Sequence, residues 1–482
     1  MTRSFVLSLP SDAVLASQGE RQIAIQAQGV RVTFKHLSAA MQQALRTLAD
    51  GGATEDELAE HVGQEDGVSG QSRFYHLLHQ LGRRGWLWRS ANESGRRLAT
   101  LVPCSSDFVY PGRALEPHQP YVLSRFAYLR AEDGQVVLES PLSHARILLG
   151  DGRTAALVHA LARPRPLADV ASQIPSLSAD AACHIAELLV NAELLGQADE
   201  TGATAEDRAP ALQSWEFHDL LFHARSRMGR HSNPVGRTYR FLGRLPAPAP
   251  LKETQATETF PLEHPDLDRL ESGDPPFARV QESRKSVREY AERPITAQQL
   301  GEFLYRVGRV RKCEESDVPT PHGPLSMAFA FRPYPSGGAL YELELYLAVN
   351  ACEGIRPGFY HYDPRDHRLE HLSERTAAVE QLLSDAAQAS RIPADKLQLL
   401  VIVAARFQRV AWKYASMAYA LILKNLGVLY QTMYLAATAM GLAPCALGCG
   451  DADLFARAAG TDYYAETSVG DFLLGSKRNS VA

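Results

Sequence analysis

The chain has 482 residues, of which 45% are hydrophobic and 22% charged, enough for two to four domains at roughly 100–200 residues each and too apolar for a disordered chain. With 50 Lys and Arg against 55 Asp and Glu, the net charge is −5, which disfavours nucleic acid as the main partner. Six scattered cysteines, with Cys445 and Cys449 the one close pair and no histidines flanking it, exclude a disulfide framework and argue against a zinc site.

The apolar run before Pro10 and Asp12 is too short for a signal-peptide core, so the expected location is cytoplasmic. Residues 1–110 read as a first winged-helix-like unit. Alternating runs at Ala13–Ser17, Ile23–Gln26 and Val30–Phe34 predict strands, helical periodicity comes next at Leu37–Ala49, Glu55–Val62 and Ser72–Arg83, and Gly85-Trp86-Leu87-Trp88 opens a wing strand. Residues 111–200 repeat the plan loosely. Tyr121–Arg130 and Val136–Glu139 flank an Asp133-Gly134 hairpin turn, and helices are predicted at Thr154–Ala162, Leu167–Ser172 and Asp180–Asn191. Such units either hold DNA, accept a peptide as an added strand, or serve as scaffold, and fold alone does not choose.

Residues 201–275 read as a linker with one docked helix over Pro210–Met228, followed by a Pro- and Arg-rich run through Pro234, Pro246, Pro248 and Pro250. Its basic residues, Arg225, Arg227, Arg230, His231 and Arg237, fit either a solvated face or a path for an anionic ligand. Residues 276–482 are mixed, giving an α+β domain. Helices are predicted at Ala297–Gly308, Thr376–Ser390 and Ser416–Met440, and strands at Glu344–Val349, Gly358–Tyr362, Gln398–Ala404 and Asp471–Leu474. No charge occurs from Asn425 to Gly450, but Gly427, Gln431, Gly441 and Pro444 interrupt the run, which favours a helix and then a loop, buried in a core or at a subunit interface, over a membrane span.

Three constellations in the last domain fit one another if it binds a flavin mononucleotide (FMN). Ser283-Arg284-Lys285-Ser286-Val287-Arg288 can aim guanidinium groups and a hydroxyl at a phosphate. Pro335-Ser336-Gly337-Gly338 can bring backbone amides against a flat ring. Gly441-Leu442-Ala443-Pro444-Cys445-Ala446-Leu447-Gly448, after the uncharged helix, can offer main-chain groups to the ring edge. Each alone also reads as a surface cluster, a bare turn or a helix stop.

Taken in order with Pro-Gly-Phe-Tyr-His-Tyr-Asp-Pro, Trp-Lys-Tyr and Leu-Ala-Ala-Thr-Ala-Met-Gly-Leu, these motifs resemble the nitroreductase-related azoline dehydrogenases over about residues 275–478. The upstream units resemble those of the long cyanobactin-type members, where they are leader-peptide recognition elements. The resemblance implies a nitroreductase-like fold with FMN at a homodimer interface. It also implies an azoline-bearing precursor peptide with its leader as partner, oxidation of thiazolines or oxazolines to azoles with dioxygen as acceptor, and no nucleic acid or membrane. It assigns Lys413 and Tyr414 to proton removal. FMN binding falls to Arg284, Lys285, Ser286, Arg288, Pro335, Ser336, Gly337, Gly338, Ala446, Leu447, Gly448 and, at the phosphate, Lys477. The stretch Ala415-Ser416-Met417-Ala418-Tyr419-Ala420 departs from the family's Gly-x-Arg-x-Tyr-Arg-type pattern, so a different pocket wall is expected. Adjacent residues on a regular element point apart, so the Lys-Tyr pair requires a loop or irregular turn. Competing readings are a nicotinamide-dependent nitro- or flavin reductase, and a non-catalytic peptide- or DNA-binding winged-helix protein.

Overall fold

The computed structural model describes residues 4–253 and 256–478, so the first three residues of the N-terminal stretch lie outside the described residues. The chain divides into two units, Met1–Asn233 and Pro234–Ala482, and the linker stretch 201–275 contributes to both.

In the first unit, the strands Val14–Ser17, Gln22–Ala27 and Val30–Lys35 form a small antiparallel sheet with open edges at its first and last strands. Helix Ala39–Ala49 starts at Ser38, whose hydroxyl accepts from Met41 N, and buries Met41, Ala44, Leu45 and Leu48 at helical spacing. The two helices predicted next lie within Glu55–Gly82, opened by a Thr54/Glu57 capping box and divided at Gly67, whose φ of 68° and ψ of −170° are not helical. The wing is the hairpin of Trp88–Glu93 and Arg96–Pro103. Its second strand pairs with Ala145–Leu149, so one seven-stranded sheet runs through both repeats. The predicted Asp133-Gly134 turn closes the hairpin Tyr128–Glu132/Gln135–Glu139 with both φ values positive, 48° and 77°. Tyr121–Arg130, expected as one strand, is broken: Pro120–Leu123 belongs to a separate three-stranded sheet. The linker helix expected over Pro210–Met228 is likewise split, into Pro210–Gln213 and Phe217–Arg225.

The second unit is built on a seven-stranded sheet in which every pairing is antiparallel, ordered Thr259–Pro261, Arg368–Ser373, Gly358–Asp363, Leu343–Val349, Leu399–Arg406, Glu466–Ser476, Leu442–Leu447. The central strand Leu343–Val349 is buried throughout. One face, with Leu343, Leu345, Leu347 and Val349, joins the core shared with the helices Ala297–Gly308 and Ala418–Ala439. The other, with Tyr346 and Ala348, joins the core shared with Ala377–Ser390 and Ala452–Ala459. The long helix Ala418–Ala439 carries Ile422, Leu426, Leu429, Met433 and Ala437 into the first core, each large side chain contributing about 1.5–3 kcal/mol by burial. Gly441, at φ 68°, ends it. Leu442–Leu447, expected as a loop, is an edge strand of the sheet. A long hairpin, Lys312–Thr320 with Gly323–Phe331, stands apart from the main sheet and leads into the Pro335–Gly338 turn. Among the described residues no helix is long and apolar enough to cross a membrane.

Candidate active site

Lys413 and Tyr414 come after the short helix Phe407–Ala411 and lie in an irregular turn. Tyr414–Ala415 pairs with Gly236–Arg237, and Ser416 takes φ 59°. This is the geometry that lets neighbouring side chains reach one point. Both reach Gly338. A Cβ built there would lie 2.5 Å from the Tyr414 hydroxyl and 3.1 Å from Lys413 Nζ, at a φ of +68°. Lys413 is 4% exposed. Its Nζ donates to Gly338 O at 3.4 Å and lies 6.0 Å from the Tyr239 ring and 5.7 Å from the Tyr414 ring. Burial lowers the lysine's pKa, and the guanidinium groups of Arg237 and Arg409 lower it further. Burial raises that of the Tyr414 phenol, with Arg237 opposing.

The glycine turn is held from the long helix. Asn425 Oδ1 accepts from Gly337 N at 3.0 Å, and its Nδ2 donates to Ser336 Oγ at 3.2 Å and to Glu342 Oε1 at 2.8 Å. Ser336 Oγ donates in turn to Glu342 Oε2 at 3.3 Å and accepts from Tyr341 N. Burial raises the pKa of the Glu342 carboxyl, against the pull of these hydrogen bonds. Arg409, also buried, donates from Nε and Nη2 to Leu340 O at 3.2 and 2.9 Å, clamping the other end of the turn. Pro335 and Gly338 are exposed while Ser336 and Gly337 are half-buried.

A second cluster forms around Tyr434, on the same helix. The Arg284 guanidinium lies over its ring at 5.2 Å, Ser286 Oγ is 2.7 Å from its hydroxyl, and Ala446 N donates to that hydroxyl at 2.8 Å. Val287 N donates to Pro444 O at 2.8 Å, so the Arg284–Arg288 segment runs along the open edge of Leu442–Leu447. Arg288 acts electrostatically on Cys445. Lys477 reaches the same region through a bridge to Tyr290. Lys285, Arg288, Lys477 and Gly448 are exposed, Ala446 half-buried and Leu447 buried.

The helix therefore fixes two clusters, one at Asn425 and one at Tyr434, about 13 Å apart along its axis at about 1.5 Å per residue. A basic, hydroxyl-bearing end and a glycine turn at that separation fit a phosphate-tailed planar cofactor. Tyr414 and Lys413 come this close to the turn only because Gly338 lacks a Cβ. Asn425, Tyr434, Glu342 and Arg409 escape motif reading because each partners a residue far away in sequence. The one signal for Asn425 is a polar amide opening an otherwise uncharged apolar run.

Three regions of the chain match known families in order. Residues 1–110 match the ThcOx helix turn helix domain, residues 121–232 match Cyanobactin oxidase ThcOx, and residues 282–475 match the Nitroreductase family. Together they place a cyanobactin-oxidase-type N-terminal region ahead of a nitroreductase-type domain. The chain is similar to the nitroreductase-type protein MJ1384 of Methanocaldococcus jannaschii, with 27% identity over 191 residues, 40% of this chain and 85% of that protein. It is also similar to the microcin B17-processing protein McbC of Escherichia coli, 30% identical over 115 residues, 23% of this chain and 42% of that protein. Among solved structures, a chain of the E. coli microcin synthetase McbBCD complex with truncated pro-MccB17 bound is covered to 91%, against 54% of this chain, at 19% identity and a TM-score of 0.32. The matched cyanobactin oxidase and nitroreductase families indicate an oxidoreductase.

Proposed function

We propose that this chain is an FMN-dependent oxidase that removes two hydrogens from thiazoline or oxazoline rings of a ribosomally made precursor peptide, giving thiazoles or oxazoles and reducing dioxygen to hydrogen peroxide. The observation that carries the reading is the convergence of Lys413 and Tyr414 on the Gly338 turn, within a family of peptide-modifying oxidases. One ring hydrogen leaves as hydride and its neighbour as a proton. Flavin mononucleotide, when bound, supplies the hydride acceptor. Arg284, Lys285, Ser286, Arg288 and Lys477 are the residues to hold its phosphate, and Pro335–Gly338 with Ala446–Gly448 to line its ring. Lys413, kept toward the free amine by burial and two neighbouring guanidinium groups, takes the proton at Nζ. Tyr414, whose phenol burial keeps protonated, orients the ring by donating from its hydroxyl.

The edge strand Val30–Lys35 supports leader recognition by the first unit. It borders a cavity of about 420 Å³ lined also by Arg73, His76, Leu77 and Arg84, a basic groove into which an extended acidic segment can add as a strand. The long helix leaves Gly427, Val428 and Gln431 exposed and uncharged, which suits burial against a second copy in a homodimer. A soluble, cytoplasmic enzyme without nucleic-acid or membrane partners completes the proposal.

The test pairs flavin content with turnover. Lys413→Met and Tyr414→Phe should keep the yellow colour and lose azole formation by about 10²–10⁴-fold, the range of a lost general base. Full turnover by the double variant overturns the assignment. Oxidation of NADPH without any change to the peptide marks a reductase instead.

A further inference from the structure

The segment that opens the second unit, residues 234–249, runs against the segment that carries the candidate dyad. Gly236 stands opposite Ala415 and Arg237 opposite Tyr414 in an antiparallel pair. Thr238 N and Tyr239 N both donate to Lys413 O, at 3.1 and 3.2 Å. Ser416 Oγ donates to Pro234 O at 2.9 Å, Trp412 Nε1 to Leu245 O at 2.9 Å, Arg409 Nη1 to Pro248 O and Arg406 Nη2 to Ala249 O at 2.9 Å. The run therefore holds Arg406, Arg409 and the stretch 412–416. Directly opposed residues of such a pair share a face, with Cβ atoms about 4.5–5.5 Å apart. The Arg237 side chain accordingly stands beside that of Tyr414.

We infer that Arg237, delivered by this run, is a positioning residue of the Lys413–Tyr414 pair, its guanidinium held beside the pair so that Lys413 serves as the proton acceptor. The inference rests on the function proposed above and adds to it a residue outside the motifs of the oxidase fold. The charged groups acting on Lys413 are Arg237 and Arg409, both cationic, and the rings near its Nζ are those of Tyr239 and Tyr414. Those acting on Tyr414 are Arg237 and Tyr239. A fixed cation disfavours a second positive charge on Lys413 and so favours its free amine, the form that takes the proton. Arg237 pulls the pKa of both groups downward. Arg409 is buried and clamps the glycine turn, so its loss damages the fold. Arg237 is exposed, so it can be changed without opening a core.

The experiment uses the full-length, flavin-loaded protein and an azoline-containing peptide, with kcat/KM measured across pH for the wild type, Arg237→Gln and Arg237→Lys. The glutamine variant should keep its flavin absorbance, lose about three- to tenfold at neutral pH and recover at alkaline pH, and the lysine variant should restore most of the loss. A glutamine profile that superimposes on the wild type overturns the inference, and so does an equal loss at every pH that lysine does not rescue. A readout that needs no turnover separates this from the function itself. The rate at which cyanate carbamylates Lys413, mapped by mass spectrometry against pH, should rise at lower pH in the wild type than in Arg237→Gln. If it does while the wild type leaves azolines untouched, Arg237 keeps its role and the azoline-oxidase reading falls. If the two rates coincide at every pH, the inference is wrong whatever the substrate.

Discussion

Gly338 is the point where the glycine turn and the Lys-Tyr pair touch, and its backbone is left-handed at φ +68°. Gly338→Ala forces a Cβ against the Tyr414 hydroxyl and places a residue where the left-handed conformation costs roughly 1–2 kcal/mol. We expect kcat to collapse while the protein stays folded with a lowered melting temperature, measured by turnover and thermal scans on the same sample. A second residue gives a pH signature. Burial raises the Asp471 carboxyl to about 7, so between the unfolded value near 4 and 7 the native state binds more protons than the unfolded one. Its stabilising effect is present below pH 4 and is lost as pH rises through 7. Asp471→Asn should raise the melting temperature at pH 8 and change it little at pH 4, and equal effects at both pH values would contradict this. At this scale the residues of the proposed site that can be read from sequence are Arg284, Ser286, Gly338, Lys413 and Tyr414, because they sit in short contiguous motifs. The sequence offers Asn425 only as the polar opening of an apolar run and Arg237 only as one of a basic group, and says nothing of Tyr434, because their proposed roles arise from hydrogen bonds and pairings that close only when the sheet forms.

The element that organises the site is the helix Ala418–Ala439, since Asn425 grips the glycine turn and Tyr434 ties the basic segment to the edge strand. Tyr434→Phe deprives Ala446 N and Ser286 of their shared partner, a cost of about 1–3 kcal/mol if neither is repaid by water. It should weaken flavin binding more than it slows turnover of the loaded enzyme, as read by flavin titration beside kcat. The helix is visible in sequence from its apolar spacing. The strand after it is not, because Leu442–Leu447 carries Pro444 and comes after a Gly441 that reads as a plain helix stop. Pro444 is tolerated there since an edge strand needs no ladder donor on its open side. The break at Gly67 is legible in the opposite sense, since the two helices predicted there are separated by its non-helical backbone.

At the scale of the molecule, the two N-terminal repeats are fused by the pairing of Arg96–Pro103 with Ala145–Leu149, and the run from Pro234 is integral to the second unit. Both are long-range pairings, beyond the reach of local periodicity. Thr259–Pro261 adds an edge strand, Tyr239 and Leu262 enter the core, and Lys252 Nζ donates to Glu466 Oε2 at 2.7 Å. A fragment covering residues 234–482 should hold flavin, whereas one covering residues 276–482 should aggregate or purify colourless. Equal flavin retention by both would show that the run is dispensable. The most direct test of the whole account is mass spectrometry of a thiazoline-containing peptide incubated in air with the purified protein and FMN. The account requires a loss of about 2 Da per ring, the two hydrogens removed, in the wild type and its absence in the Lys413→Met, Tyr414→Phe double variant. A yellow, folded wild-type protein that leaves the peptide mass unchanged would contradict it.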